Sequence, residues 1–229
     1  MRTDVFNELF PLFNVASTET LSKLEGIVVK HDYPASRAVL MEDAWGNAVY
    51  FIESGWVKVR RHSGEDKVVT LAILGKGDFF GEMAILDESP RSTDVIALSS
   101  VSLFSISAQQ FIQMLFEDAQ LHHRMLQLMV QRLRYTNIRL QMRRQPPAIK
   151  LAYALLNLAQ QYGMPSEIGP QILNIPAADL ADISDTSVED TQKIVEKLQE
   201  KGLIEIDSTQ QLLCLRNERQ LVQLLRQQR

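Results

Sequence analysis

The chain has 229 residues, 45% of them apolar, with 24 basic and 28 acidic side chains and a formal charge of −4. That length suits two small domains or one large one, and the acidic balance does not imply a free basic surface that coats nucleic acid, so any DNA contact has to come from a local patch. A single cysteine, Cys214, excludes a disulfide framework, a four-thiolate zinc site and a cysteine-ligated iron–sulfur cluster within one chain. The opening MRTDVFNELFPLF carries acidic residues and a proline, unlike a signal peptide, and no apolar run reaches the ~20 residues that span a bilayer. A cytoplasmic protein without a membrane segment is expected.

Residues 5–28 show helical spacing in Phe6, Leu9 and Phe10, then in Leu21, Leu24 and Ile27, with Thr18 or Thr20 as the cap of the second helix. From Val28 to Ala108 the pattern changes to short alternating runs: Ala48–Glu53, Trp56–His62, Lys67–Leu74, Thr93–Ala97 and Val101–Ser107. Between them stand the turn signals Ala44–Trp45–Gly46–Asn47, Ser54–Gly55, Ser63–Gly64–Glu65–Asp66 and Gly75–Lys76–Gly77–Asp78. Short strands at this spacing predict an antiparallel barrel or sandwich, and Gly46, Gly55, Gly64, Gly75 and Gly77 are read as hairpin residues that need positive φ.

Within that region Phe80 to Thr93 reads FGEMAILDESPRST. Gly81 lets backbone approach a ligand closely, and Arg91 supplies a planar cationic fork that suits phosphate oxygens. Backbone N–H groups of the turn and the Ser92 hydroxyl can fill further acceptor sites. Glu82 would repel a phosphate, so its natural use is to accept from a sugar hydroxyl. The plainer alternative is an ordinary turn with Arg91 paired to Glu82 or Asp87.

From Ser107, a candidate N-cap, to Arg144 the spacing is helical, with a break expected near Glu117–Asp118. Beyond it Leu126, Met129, Leu133, Thr136 and Leu140 alternate in steps of three and four, the spacing of two helices packed side by side. The run covers only about two heptads, so packing of the helix on its own barrel stays open. Thr136 is polar on that seam and can bond a carbonyl one turn back. Pro146–Pro147 ends the helix and marks a short stiff hinge. An apolar helix follows from Ile149, then a loop from Tyr162 to Pro170.

Pro176 to Gly202 reads PAADLADISDTSVEDTQKIVEKLQEKG. A helix from Ala177 to about Ile183, a turn at Ser184–Asp185–Thr186 and a second helix capped by Ser187 and running to Lys201 are expected. A hairpin of Leu203–Ile206 and Leu212–Leu215 across Asp207–Ser208–Thr209–Gln210 completes a winged helix-turn-helix. Between Asp179 and Lys193 stand five acidic residues and one basic one, an unfavourable face for phosphates. Arg143, Arg144, Lys150, Lys197, Lys201, Arg216 and Arg219 flank the module, either as a local phosphate-facing patch or as a solvated face.

These motifs, in this order, resemble the CRP/FNR regulators, whose phosphate-binding cassette is shared with kinase regulatory subunits. The family pattern is roughly F-G-E-[apolar]-A-L, a spacer, then P-R and two small residues; here Ile85 stands in the Leu place. The resemblance implies an α+β fold: an antiparallel jelly-roll cyclic-nucleotide-binding barrel (1–108), a dimerisation helix (109–145) and a winged helix-turn-helix (146–229). It implies ribose contacts from Gly81 and Glu82, cyclic-phosphate contacts from Arg91 and Ser92, and purine contacts from Thr136 and, in the partner subunit's site, from Asn137, where the best-known members carry Ser. It implies cAMP as effector, a homodimer, double-stranded DNA and a protein partner such as RNA polymerase. In the second helix, Ser187, Val188, Glu189, Gln192 and Lys193 would face DNA. The family places Arg where Val188 and Lys193 stand, so one guanine reader is absent and the other is altered.

An alternative keeps the family shape without its signal: an effector-independent or interaction regulator whose acidic helix meets a protein. No enzyme is expected. His122 and His123 point to different helix faces, which makes a poor metal site, and Ser92 has no His–Asp pair at a usable spacing.

Overall fold

The computed structural model describes residues 3–64 and 68–226. Glu65 and Asp66 of the third expected turn, and Lys67 at the head of the third expected strand, lie outside the described residues. The chain divides into two compact units, with the boundary in sequence between Thr136 and Asn137.

The first unit opens with α1 (Thr3–Leu9) and α2 (Thr18–Ile27). The cap of α2 is Ser17, whose hydroxyl accepts from the Thr20 amide at 3.1 Å, rather than either expected threonine. Among the described residues eight strands follow: β1 (Val29–Tyr33), β2 (Ala38–Leu40), β3 (Ala48–Ser54), β4 (Val57–His62), β5 (Val68–Leu74), β6 (Phe79–Phe80), β7 (Asp94–Ala97) and β8 (Val101–Ser107). They form two antiparallel four-stranded sheets, ordered β1-β8-β3-β6 and β2-β7-β4-β5. Ile52, Phe80, Val101 and Leu103 of the first sheet pack with Val57, Val95 and Ala97 of the second to make the jelly-roll core.

A second core holds the helices to the first sheet. Phe6, Phe10 and Phe13 gather with Phe51, Phe104 and Phe111; ring centroids are 4.5 Å apart for Phe6–Phe10 and 5.6 Å for Phe6–Phe51. The expected break falls at Asp118, between α4 (Ala108–Glu117) and α5 (Ala119–Met142). One Asp118 oxygen accepts from the Gln120 and Leu121 amides, capping α5; the other accepts from the Ser17 amide at 2.8 Å and the Thr20 hydroxyl at 2.7 Å. Burial alone would raise the carboxyl pKa, but the bonds from Ser17, Leu121 and Thr20 outweigh it and hold the group at about 2.

On α5, Leu121 and Met125 are buried, and Leu128 and Met129 pack against the aromatic core. Leu126, Val130, Leu133 and Leu140 stay exposed. Of the expected run, Met129 is turned inward, whereas Leu126, Leu133, Thr136 and Leu140 are exposed, and Val130, Asn137 and Ile138 are exposed beside them.

The second unit holds α6 (Pro147–Tyr162), β9 (Gln171–Leu173), α7 (Ala177–Ser184), α8 (Val188–Glu200), β10 (Ile204–Asp207), β11 (Leu212–Leu215) and α9 (Glu218–Arg226). The prolines act as expected: α5 ends at Met142, and Pro147 starts α6. The expected wing is β10 and β11, and β9 adds a third strand to it. Asp185 closes α7 in the left-handed conformation (φ +53°). Among the described residues no helix is long and apolar enough to cross a membrane.

Candidate functional site

In the first unit, β6 ends at Phe80 and Gly81 follows with φ +85°, a conformation open to glycine that starts the short helix α3 (Glu82–Leu86). After the turn at Pro90, the Arg91 backbone is fixed on both sides: its amide donates to the Ala44 carbonyl at 2.8 Å and its carbonyl accepts from Asp43 at 2.9 Å. The side chain runs inward and is 4% exposed. Nη2 donates to the Ala48 carbonyl at 2.7 Å, and Nη1 donates to the Gly81 carbonyl. Among the described residues these two neutral carbonyls are its hydrogen-bond partners, so neither Glu82 nor Asp87 pairs with it. Burial lowers the guanidinium pKa, opposed by the nearby Tyr50 and Glu82; an arginine keeps its charge through such a shift.

Two glycines make room for that guanidinium. A Cβ at Gly81 would lie 2.7 Å from Nη1, and one at Gly46 would lie 2.7 Å from Cζ. Gly46 does not have positive φ, and neither does Gly75, whereas Gly55, Gly64 and Gly77 do. The hairpin reading of Gly46 is thus replaced by a steric one: it is a glycine because Arg91 passes beneath it.

Glu82 is 3% exposed. Its Oε1 accepts from Arg132 Nη1 at 2.6 Å. Arg132 stands on α5, and its Nη2 also donates to the Phe79 carbonyl at 2.6 Å and to Asp78 at 3.3 Å, with the guanidinium 4.3 Å from the Phe79 ring centroid. Burial pushes the Glu82 carboxyl up, and Arg132 and a backbone N–H pull it back. Sequence reasoning missed Arg132, one of several arginines on a polar helix. The available signal was Glu82 itself, since a buried carboxylate demands a cation.

The other expected residues are placed less tightly. Ser92 is exposed and lines, with Met83, Asp87 and Ser89, a hollow of about 370 Å³ that neither Glu82 nor Arg91 lines. The Thr136 hydroxyl donates to the Arg132 carbonyl at 3.0 Å, one turn beyond Arg132 on the same side of α5. Asn137 is exposed. Tyr50, not singled out in the sequence, stacks on Phe80 with centroids 5.5 Å apart.

In the second unit, a chain of hydroxyls spans the helix-turn-helix: Ser184 to Thr186 at 2.8 Å and Thr186 to Thr191 at 2.7 Å. The Ser187 hydroxyl caps α8, accepting from the Asp190 amide at 3.0 Å and donating to the Asp190 carboxylate at 2.8 Å. Val188, Glu189, Gln192 and Lys193 are exposed, and Lys193 donates to Glu189 at 2.6 Å. Several flanking cations are engaged within the module. Lys150 donates to the Asp185 carbonyl, Arg143 lies 3.5 Å from the Asp185 carboxylate, and Arg216 lies 3.2 Å from Glu205. Arg144, Lys197, Lys201 and Arg219 are exposed. Among the described residues no group of metal-ligating side chains is assembled.

Comparison with known proteins matches both units. The cyclic nucleotide-binding domain profile covers residues 30–118, and the Crp-like helix-turn-helix domain profile covers residues 149–224. The "Cyclic AMP receptor protein" of Thermus thermophilus is 29% identical over 198 residues, 86% of this chain and 88% of that protein. The crystal structure of the Thermus thermophilus catabolite activator protein superposes with a TM-score of 0.51 at 25% identity, covering 95% of this chain and 99% of that one. The c-di-GMP responsive global regulator of Xanthomonas campestris shares the fold, with a TM-score of 0.67 at 21% identity over 87% of this chain and 99% of that one.

Proposed function

We propose that this chain, which belongs to the CRP/FNR family of cyclic-nucleotide-binding transcription regulators, senses cAMP in its barrel and passes the signal along α5 of a homodimer to winged helices on double-stranded DNA in the cytoplasm. The observation that carries the reading is the Arg91 seat: a buried guanidinium, cleared by two glycines, whose partners are neutral carbonyls. A desolvated cation with no anion hydrogen-bonded to it is costly, and a singly charged cyclic phosphate would offset that cost through bidentate bonds. The Thermus thermophilus relative is named as a cyclic AMP receptor, which favours cAMP over other nucleotides.

In this reading Gly81 and Ser92 complete the phosphate and ribose contacts, and the Glu82 oxygen not held by Arg132 accepts a ribose hydroxyl. Thr136 and Asn137 face the purine. Arg132 and Thr136 share one face of α5, so closing the ligand against Glu82 bears on the helix that forms the dimer seam. The effector acts only through different affinity for two arrangements of that seam. The exposed leucines of α5 suit a second copy of the chain, and a protein partner such as RNA polymerase would read out DNA occupancy. Nothing in this scheme requires catalysis.

One observation favours a second reading. Arg91 donates to two carbonyls of its own chain and Glu82 accepts from Arg132, so each has an internal partner, which suits an effector-independent regulator whose acidic α8 meets a protein. A mobility-shift assay on genomic fragments, with and without cAMP, separates the two. We expect a shift that strengthens with cAMP and weakens steeply with salt. Binding indifferent to cAMP, or absent at low salt, would favour the second.

A further inference from the structure

The orientation of α8 is set from inside the module. Thr191 is fully buried and bonded to Thr186, and Leu198 is buried two turns on. The exposed residues of the first two turns include Val188, Glu189, Gln192 and Lys193, which form two i,i+4 pairs. In one pair Lys193 and Glu189 engage each other at 2.6 Å and carry no net charge. In the other, Val188 offers only methyl groups, and Gln192 offers an amide NH2 that donates beside a carbonyl oxygen that accepts. No arginine stands on α8.

The major groove presents each base differently. Guanine shows two acceptors, adenine an acceptor beside a donor, and thymine a methyl group. Two adjacent acceptors call for two donor groups side by side, whereas Gln192 presents its NH2 beside a carbonyl oxygen and Val188 presents no donor. A glutamine amide matches the N7 and N6 edge of adenine, and a valine matches a thymine methyl.

We propose that Val188 and Gln192 together read A·T pairs, Gln192 by paired hydrogen bonds to adenine and Val188 by apolar contact with a thymine methyl, so that the operator half-site is A·T at this step. This rests on the reading of α8 as the DNA-facing helix.

The test is sequence selection from a pool of duplexes with a randomised core, using the full chain with and without saturating cAMP. The native protein is compared with Gln192→Ala and Val188→Arg, whose helix content is checked by circular dichroism. We expect the native chain to enrich A·T at one step of each half-site. Gln192→Ala should lose that discrimination, worth about 5- to 150-fold for a good bidentate contact, while the rest of the motif persists. Val188→Arg, which supplies a fork, should turn the preference at that step toward G·C. An enriched motif unchanged in both variants, or a native preference for G·C at the positions they alter, overturns the proposal and leaves DNA binding standing. Retention of duplex without any enrichment does the same. Failure of the native chain to retain any duplex at low salt removes the DNA reading and the proposal together.

Discussion

Replacing Gly46 by alanine sets a methyl carbon 2.7 Å from Arg91 Cζ and 3.0 Å from both Nε and Nη1. Ordinary carbon contacts begin near ~3.5 Å, so the guanidinium has to retreat by roughly 0.7–1 Å. It has nowhere free to go, being buried and held by the Ala48 and Gly81 carbonyls. A shift of that size takes the 2.7 Å bond from Nη2 to the Ala48 carbonyl out of hydrogen-bond range. Losing a hydrogen bond to a charged group costs about 1.5–3 kcal/mol, and crowding a packed site costs about 1–3 kcal/mol. Because the two overlap, we expect urea denaturation to show a loss of about 2–4 kcal/mol. Calorimetry should show cAMP affinity falling about 10-fold or more, since the same atoms meet the phosphate. Backbone strain does not contribute, as Gly46 lacks positive φ. The control is Gly26→Ala on α2, where nothing lies within 4 Å of the new carbon; it should stabilise the chain by up to about 1 kcal/mol. Native stability and native cAMP affinity in the Gly46→Ala protein would refute the tight seat.

Asp118→Asn should destabilise the chain by about 2 kcal/mol at neutral pH, because the folded carboxyl sits at about 2 against an ordinary value near ~3.9. That stabilisation is complete above ~pH 4 and lost as pH falls toward 2, so urea curves of native and variant should converge there. Arg132→Met leaves the Glu82 carboxylate buried without its cation and should cost about 3 kcal/mol or more at pH 7. Burial then raises the Glu82 pKa further, so the folded state takes up a proton more readily than the unfolded one and the deficit should shrink as pH is lowered; a pH-independent deficit would argue against the ion pair. Leu133→Glu on the exposed seam, where Leu133 is 60% exposed in the single chain, should convert a dimer to monomer in sedimentation equilibrium without loss of helix content; an unchanged mass would remove α5 from the interface.

The cassette and the helix-turn-helix are legible in the sequence because their signals are local: contiguous FGEMAIL and PRS, a serine cap ahead of α8, a proline pair at the hinge. What is not legible is set at long range. β1 pairs with β8 through Val29↔Ser105, and its VKHDY shows no clean alternation. β2 and β9 are three residues each, too short for a periodic signal. The register of the α5 seam depends on which face the aromatic core claims, which turns Met129 inward and leaves Val130 outside. Gly46 and Arg91, and Glu82 and Arg132, are each brought together by the fold, so spacing assigns Gly46 to a turn and passes over Arg132.

The most direct measurement is titration calorimetry of cAMP into the native chain and into Arg91→Leu, with circular dichroism of both. We expect one cAMP bound per native chain, and no measurable binding by the variant at unchanged secondary-structure content. Equal affinity in the two proteins, or no binding by the native chain at saturating cAMP, would contradict the role given to Arg91 as the seat of the effector's phosphate.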